Sequence, residues 1–146
     1  MKRLTLVILS AGLILGALLA GCPAATTNDS PNNTGQIIEN ISPQAALDLI
    51  QQNEGNAAFI ILDVRTPAEY AEGHIEGAIN IDFYSSEFEE MVKALDRDDT
   101  YFIYCRSGNR SGQARNLMEG LGFAEVYNLS GGINAWQDAG LATVKD

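Results

Sequence analysis

The chain has 146 residues, 46% of them hydrophobic, and carries nine Lys and Arg against nineteen Asp and Glu, a formal net charge of −10. That length holds one ordinary domain with short extras. So acidic a surface disfavours nucleic acid as a partner and disfavours adsorption to anionic lipid.

Lys2 and Arg3 precede an apolar run, Leu4 to Ala20, in which Thr5 and Ser10 are the polar residues. A spanning helix needs roughly 20 apolar residues, so the run is short for one and its flanks suit a secretory signal. It ends in Leu19-Ala20-Gly21-Cys22, which resembles the lipobox of bacterial lipoproteins. The resemblance implies that residues 1–21 are removed and that Cys22 is lipidated and becomes the mature N-terminus. The protein would then be exported to the cell envelope and lipid-anchored to a bacterial membrane. An ordinary signal peptide or an uncleaved anchor is the alternative. Pro23 follows in place of an inner-membrane retention aspartate, which leaves open the membrane the lipid enters. Residues 22–36, rich in Ala, Thr, Asn, Ser and Pro, read as a flexible tether. With Cys22 lipidated, Cys105 has no cysteine left to pair with. A lone cysteine in an oxidising compartment is either a nucleophile or a buried, inert side chain.

From residue 37 to 146 strand and helix patterns alternate. Ile37-Ile38 opens a short strand, and Ser42 is an N-cap with Pro43 at the first helical position. Ala46, Leu49 and Ile50 share a face of the helix that follows, which ends near Gly55. Phe59 to Val64 is an apolar run suited to a strand buried on both faces. Thr66-Pro-Ala-Glu69 predicts a capping box and a short helix. Gly73-His-Ile-Glu-Gly77 turns into a brief strand over 78–81. Ser86-Glu-Phe-Glu89 predicts a second capping box, with Phe88, Met91, Val92 and Leu95 on one helix face. Glu125 to Asn128 is the last strand, and Gly131-Gly132 leads to a closing helix with Ile133 and Trp136 inward, stopped by Gly140. The pattern is that of an α/β domain with a five-stranded, mostly parallel sheet and helices on both faces.

The chemistry is concentrated between Tyr101 and Leu121. Four β-favouring residues, Tyr-Phe-Ile-Tyr, run into Cys105-Arg106-Ser107-Gly108-Asn109-Arg110, and a helix follows with Ala114, Leu117, Met118 and Leu121 on one face. A strand that feeds a short loop into a helix N-terminus aims several backbone N–H groups at one spot. Cys105 stands at the strand end, near Arg106 and Arg110, where that field favours thiolate over thiol. In parallel sheets ligands sit at the carboxyl ends of the strands.

These segments resemble the rhodanese domain family of small α/β sulfurtransferases. The likeness spans about residues 38–141 and rests on four ordered motifs. They are Leu62-Asp-Val-Arg-Thr-Pro-Ala-Glu69-Tyr, Gly73-His-Ile-Glu-Gly-Ala-Ile-Asn80, the Cys105 to Arg110 loop with Ser111, and Leu129-Ser-Gly-Gly-Ile-Asn-Ala-Trp136. The resemblance implies a Cys105 that cycles between thiolate and persulfide, taking sulfur from a small sulfur-containing anion such as thiosulfate. The acceptor would be a thiol, cyanide or a protein. No cofactor or metal is implied, and the domain is expected to be a monomer. Cysteine phosphatases and arsenate reductases use a wider Cys-x5-Arg loop. Here Ser111 stands where that pattern needs arginine, while Arg110 completes Cys-x4-Arg.

Ser107, Gly108, Asn109 and Ser111 are assigned to the active-site loop, and Gly108 is expected to hold a left-handed or crowded backbone. Arg110 would shape the loop and meet the substrate anion, and Arg106 would face the pocket mouth or solvent. Asp63 and Arg65 are supporting residues, with Arg65 bonded towards the loop. Glu69 is accounted for by its capping box, His74 by its turn and Trp136 by the core. A non-enzymatic persulfide carrier or binding module is the alternative of a different class.

Overall fold

The computed structural model describes residues 35–145. The apolar run, Cys22 and all but the end of the tether lie outside the described residues. Ten elements follow in chain order. They are β1 (Ile37–Ile41), α1 (Pro43–Gln52), β2 (Phe59–Asp63), α2 (Pro67–Glu72), β3 (Ile79–Asn80), α3 (Phe88–Lys93), β4 (Thr100–Tyr104), α4 (Asn109–Gly120), β5 (Glu125–Leu129) and α5 (Gly132–Asp138). The strands make one five-stranded sheet in the order β1-β5-β4-β2-β3. Every pairing in it is parallel.

Side-chain alternation along β4 divides the core in two. Tyr101, Ile103 and Cys105 enter one layer with Leu62, Val126, Phe88 and Val92 of α3, and Ala114 and Met118 of α4. Phe102 and Tyr104 enter the other with Ile61, Leu129, Ala46 of α1, and Ile133 and Trp136 of α5. Both faces of the sheet are therefore covered, as the unbroken apolar runs in β2 and β4 require.

The local chemistry of the helix starts decides how well each was anticipated. Ser42 caps α1 by accepting from the Ala45 N–H, and Thr66 and Glu69 form a complete capping box on α2. The second expected capping box does not form. Glu87, not Ser86, precedes α3, and it makes no side-chain cap. The side-chain bonds lie in the turn before it: Asp82 Oδ1 accepts from Tyr84 N and Ser85 Oγ from Glu87 N. Met91 also departs from the expected inner face. It is 41% exposed while Phe88 and Val92 are buried, because the core contact follows the i, i+4 pair. The strand anticipated over 78–81 shortens to Ile79–Asn80 at the sheet edge.

Candidate active site

Central β4 delivers Cys105 to the carboxyl edge of the sheet, where it is only 1% exposed. Three residues on, Gly108 takes φ +90°, a left-handed turn that starts α4 directly beneath the loop. A Cβ there would lie 3.3 Å from Gly131 N and 3.4 Å from Leu129 O, so the turn is also crowded by backbone. The first intrahelical bond in α4 runs from Gly112 N to Gly108 O, which leaves the preceding N–H groups to the loop.

Those donors converge on sulfur. Cys105 Sγ accepts from Gly108 N at 3.1 Å and from the Ser111 hydroxyl at 3.4 Å. Backbone N–H groups of Ser107 and Ser111 add to them. Burial alone would push the thiol up, but the Ser111 hydroxyl and the three N–H groups outweigh it and hold Cys105 below the ordinary cysteine value. The loop is a thiolate cradle.

A second set of bonds holds the cradle open. Ile133 N donates to Cys105 O at 2.8 Å and Asn134 N to Arg106 O at 3.2 Å, so the carbonyls point out to α5 and the N–H groups point in. The close approach depends on Gly132. A Cβ on it would lie 2.5 Å from Cys105 O and 2.6 Å from both Arg106 C and O. In the sequence Gly131-Gly132 mark only a helix start, since nothing in their spacing places them against residues 105 and 106.

Arg110 is occupied by protein. Its two terminal nitrogens each donate at 2.8 Å to the two oxygens of Glu69, and its guanidinium lies 5.3 Å from the Tyr84 ring centroid. Arg110 holds the Glu69 carboxyl at about 2, and the carboxylate and the nearby Cys105 raise Arg110 in turn. Glu69 therefore does more than cap α2. It ties α2 to the loop across 41 residues.

Arg65 corrects another expectation. It bonds Asp63 through Nε and Nη2, with distances of 2.6–3.0 Å, and donates from Nη2 to Gly73 O at 2.7 Å. The two-residue offset lets the buried Asp63 carboxylate take both the Arg65 backbone N–H and its guanidinium, so the pair fastens β2 to the turn at residue 73 and not to the loop. His74 is 2% exposed, stacks on Tyr70 at 3.8 Å between ring centroids and joins Val144 through two backbone bonds. The Trp136 indole donates to Ala142 O. The Asn109 side chain accepts from Gln113 on the surface of α4, while Arg106 and Ser107 are exposed at the loop's outer edge.

A parallel α/β sheet whose central strand ends in a cysteine, cradled by backbone N–H groups, defines a protein built around a stabilised thiolate. The comparisons give that class a family. The rhodanese-like domain family matches residues 42–139, and the chain belongs to it. It is 36% identical over 97 residues to the thiosulfate sulfurtransferase GlpE of Ectopseudomonas mendocina, covering 66% of this chain and 83% of that one. It is also 36% identical over 70 residues to the thiosulfate sulfurtransferase PspE of Escherichia coli K12, covering 48% and 67%. Among solved structures, a rhodanese-related protein of Thermoplasma volcanium superposes with a TM-score of 0.61 at 34% identity, covering 74% of this chain and 99% of that chain.

Proposed function

We propose that this protein is a sulfurtransferase that carries sulfane sulfur on Cys105. The carrying observation is the ring of donors on Cys105 Sγ, from Gly108 N at 3.1 Å and Ser111 Oγ at 3.4 Å, with the N–H groups of Ser107 and Ser111. The Cys105 thiolate attacks the outer sulfur of thiosulfate or a similar donor. The donor S–S bond breaks, and sulfite leaves with the bonding pair. The new persulfide places its negative outer sulfur among the same loop N–H groups, so the cradle serves both states of the cycle. An acceptor thiolate or cyanide then attacks that outer sulfur, and the pair of the broken S–S bond returns to Cys105. No base is required, since sulfite departs as an anion. That accords with a His74 engaged in its turn and in stacking on Tyr70.

Two finer parts of the reading rest on sequence. Lys2, Arg3, the apolar run and Leu19-Ala20-Gly21-Cys22 support export and lipid anchoring through Cys22. A single domain is taken to act as a monomer.

Intact mass of residues 36–146 after thiosulfate, and again after cyanide, tests the chemistry, with Cys105→Ser alongside. One added sulfur atom on the wild type alone, released as thiocyanate, is expected. No added sulfur from thiosulfate or from polysulfide refutes sulfur transfer and leaves a binding module. For the anchor, full-length chain is expected in the membrane fraction and Cys22→Ser outside it. Equal distribution of the two would sink the lipid reading.

A further inference from the structure

Tyr84, in the segment between β3 and α3, is the most exposed large hydrophobic residue among the described residues, at 69%. Its ring still has defined neighbours. The Arg110 guanidinium carbon lies 5.3 Å from the ring centroid, within the range of a cation–π contact. Phe83 makes a T-shaped pair with it at 5.7 Å, and Asp82 Oδ1 accepts from Tyr84 N at 2.9 Å, which fixes the turn. Core burial therefore does not account for where the ring lies. Arg110 does. Its side chain is only 13% exposed, with Glu69 on one edge through two 2.8 Å bonds and the Tyr84 ring against the guanidinium.

Arg110 connects that ring to the sulfur. In the chain it stands between Gly108 and Ser111, both donors to Cys105 Sγ, so the anchorage of its side chain bears on where those donors point. The guanidinium and the Cys105 sulfur also lie near enough to interact by charge, and a positive charge close by favours the thiolate. Water screens such a field, so it persists only while the guanidinium is held in place and covered. Glu69 alone secures it poorly, because its own side chain is 25% exposed and ion pairs open to solvent are weak. We propose that Tyr84 is a positioning residue for sulfur transfer, its ring holding the Arg110–Glu69 pair against the loop and so keeping the loop donors on Cys105. The inference deepens the sulfurtransferase reading and rests on it. The ring is the working part and the hydroxyl is not, since the contact is to the π-system.

The test compares Tyr84→Phe, which keeps the ring, with Tyr84→Leu, which keeps an apolar side chain without it. Two quantities are read: the pH midpoint of Cys105 alkylation by iodoacetamide, and kcat/KM for thiosulfate with cyanide as acceptor. Tyr84→Leu is expected to raise the midpoint and to lower kcat/KM about two- to fivefold, the size of one exposed cation–π contact. Tyr84→Phe is expected to match the wild type in both. Arg110→Gln supplies the background that separates positioning from local packing on Phe83. There the ring has no cation to hold, so adding Tyr84→Leu should move the midpoint no further. A midpoint that Tyr84→Leu leaves unchanged, a Phe variant that behaves like Leu, or a full shift in the Arg110→Gln background overturns the role of Tyr84. None of these results touches sulfur transfer itself. That reading falls instead if wild-type Cys105 gains no sulfur atom in the mass measurement, in which Tyr84 is not varied.

Discussion

Gly132→Ala tests the clamp that α5 places on the loop. Gly132 has φ +62°, and a Cβ would lie 2.5 Å from Cys105 O and 2.6 Å from Arg106 C and O. All three are backbone atoms, so no rotamer change relieves the clash. The left-handed conformation costs about 1–2 kcal/mol for a residue with a Cβ. Overpacking against a fixed backbone adds about 1–3 kcal/mol. The sum is a loss of about 2–5 kcal/mol, read from urea unfolding. Gly140→Ala is the matched control: its φ is +75° with nothing within 4 Å, so it incurs the conformational part alone. The displaced strand end would also carry the loop N–H groups away from the sulfur. The pH midpoint of Cys105 alkylation by iodoacetamide is therefore expected to rise in Gly132→Ala and to stay put in Gly140→Ala. Equal stabilities and equal midpoints for the two variants would refute the reasoning.

Four further outcomes follow from the same geometry. The fold holds Cys105 below the ordinary thiol value, so its alkylation should persist at pH values where a free cysteine is slow and fade only as pH falls through the lowered value. Ser111→Ala removes one hydrogen bond to a charged acceptor and should move that midpoint up. The Glu69 carboxyl, ordinarily 4.5, is held at about 2, so its pair with Arg110 stabilises the fold fully above pH 4.5 and loses that contribution as pH falls towards 2. After discounting for a side chain that is 25% exposed, the difference between wild type and Glu69→Gln should be about 1–2 kcal/mol at pH 6 and should vanish near pH 2 in urea titrations. Asp63→Asn leaves the Arg65 guanidinium buried without its counter-charge, and calorimetry should show a loss of about 3–5 kcal/mol.

The sheet was legible because its signals are local. Apolar runs at 59–62 and 101–104 and a proline after each of Ser42 and Thr66 mark elements without any knowledge of the fold. Cys105 was legible for the same reason, since strand, loop and helix are contiguous around it. What escaped is long-range. The Arg110 pair with Glu69 joins side chains 41 apart in sequence, and a complete capping box already accounted for that carboxylate. The steric role of Gly132 exists only because β5 lies beside β4. Arg65 was assigned to the wrong neighbour because Asp63, two residues away, and the Gly73 carbonyl satisfy it first. Ser86 makes no cap because α3 starts one residue later than its box requires, with Glu87 at the cap, a shift that a four-residue pattern does not weigh.

The place of β5 between β1 and β4 gives the cysteine a timetable. The ribosome releases the chain from its N-terminus, so β5 and α5 emerge after the loop they clamp. Until they do, β1 has no neighbour in the sheet, and the carbonyls of Cys105 and Arg106 lack the two N–H groups that turn them outward. A chain cut before β5 would keep the sulfur's own donors on residues 107–111 and lose the clamp that aims them.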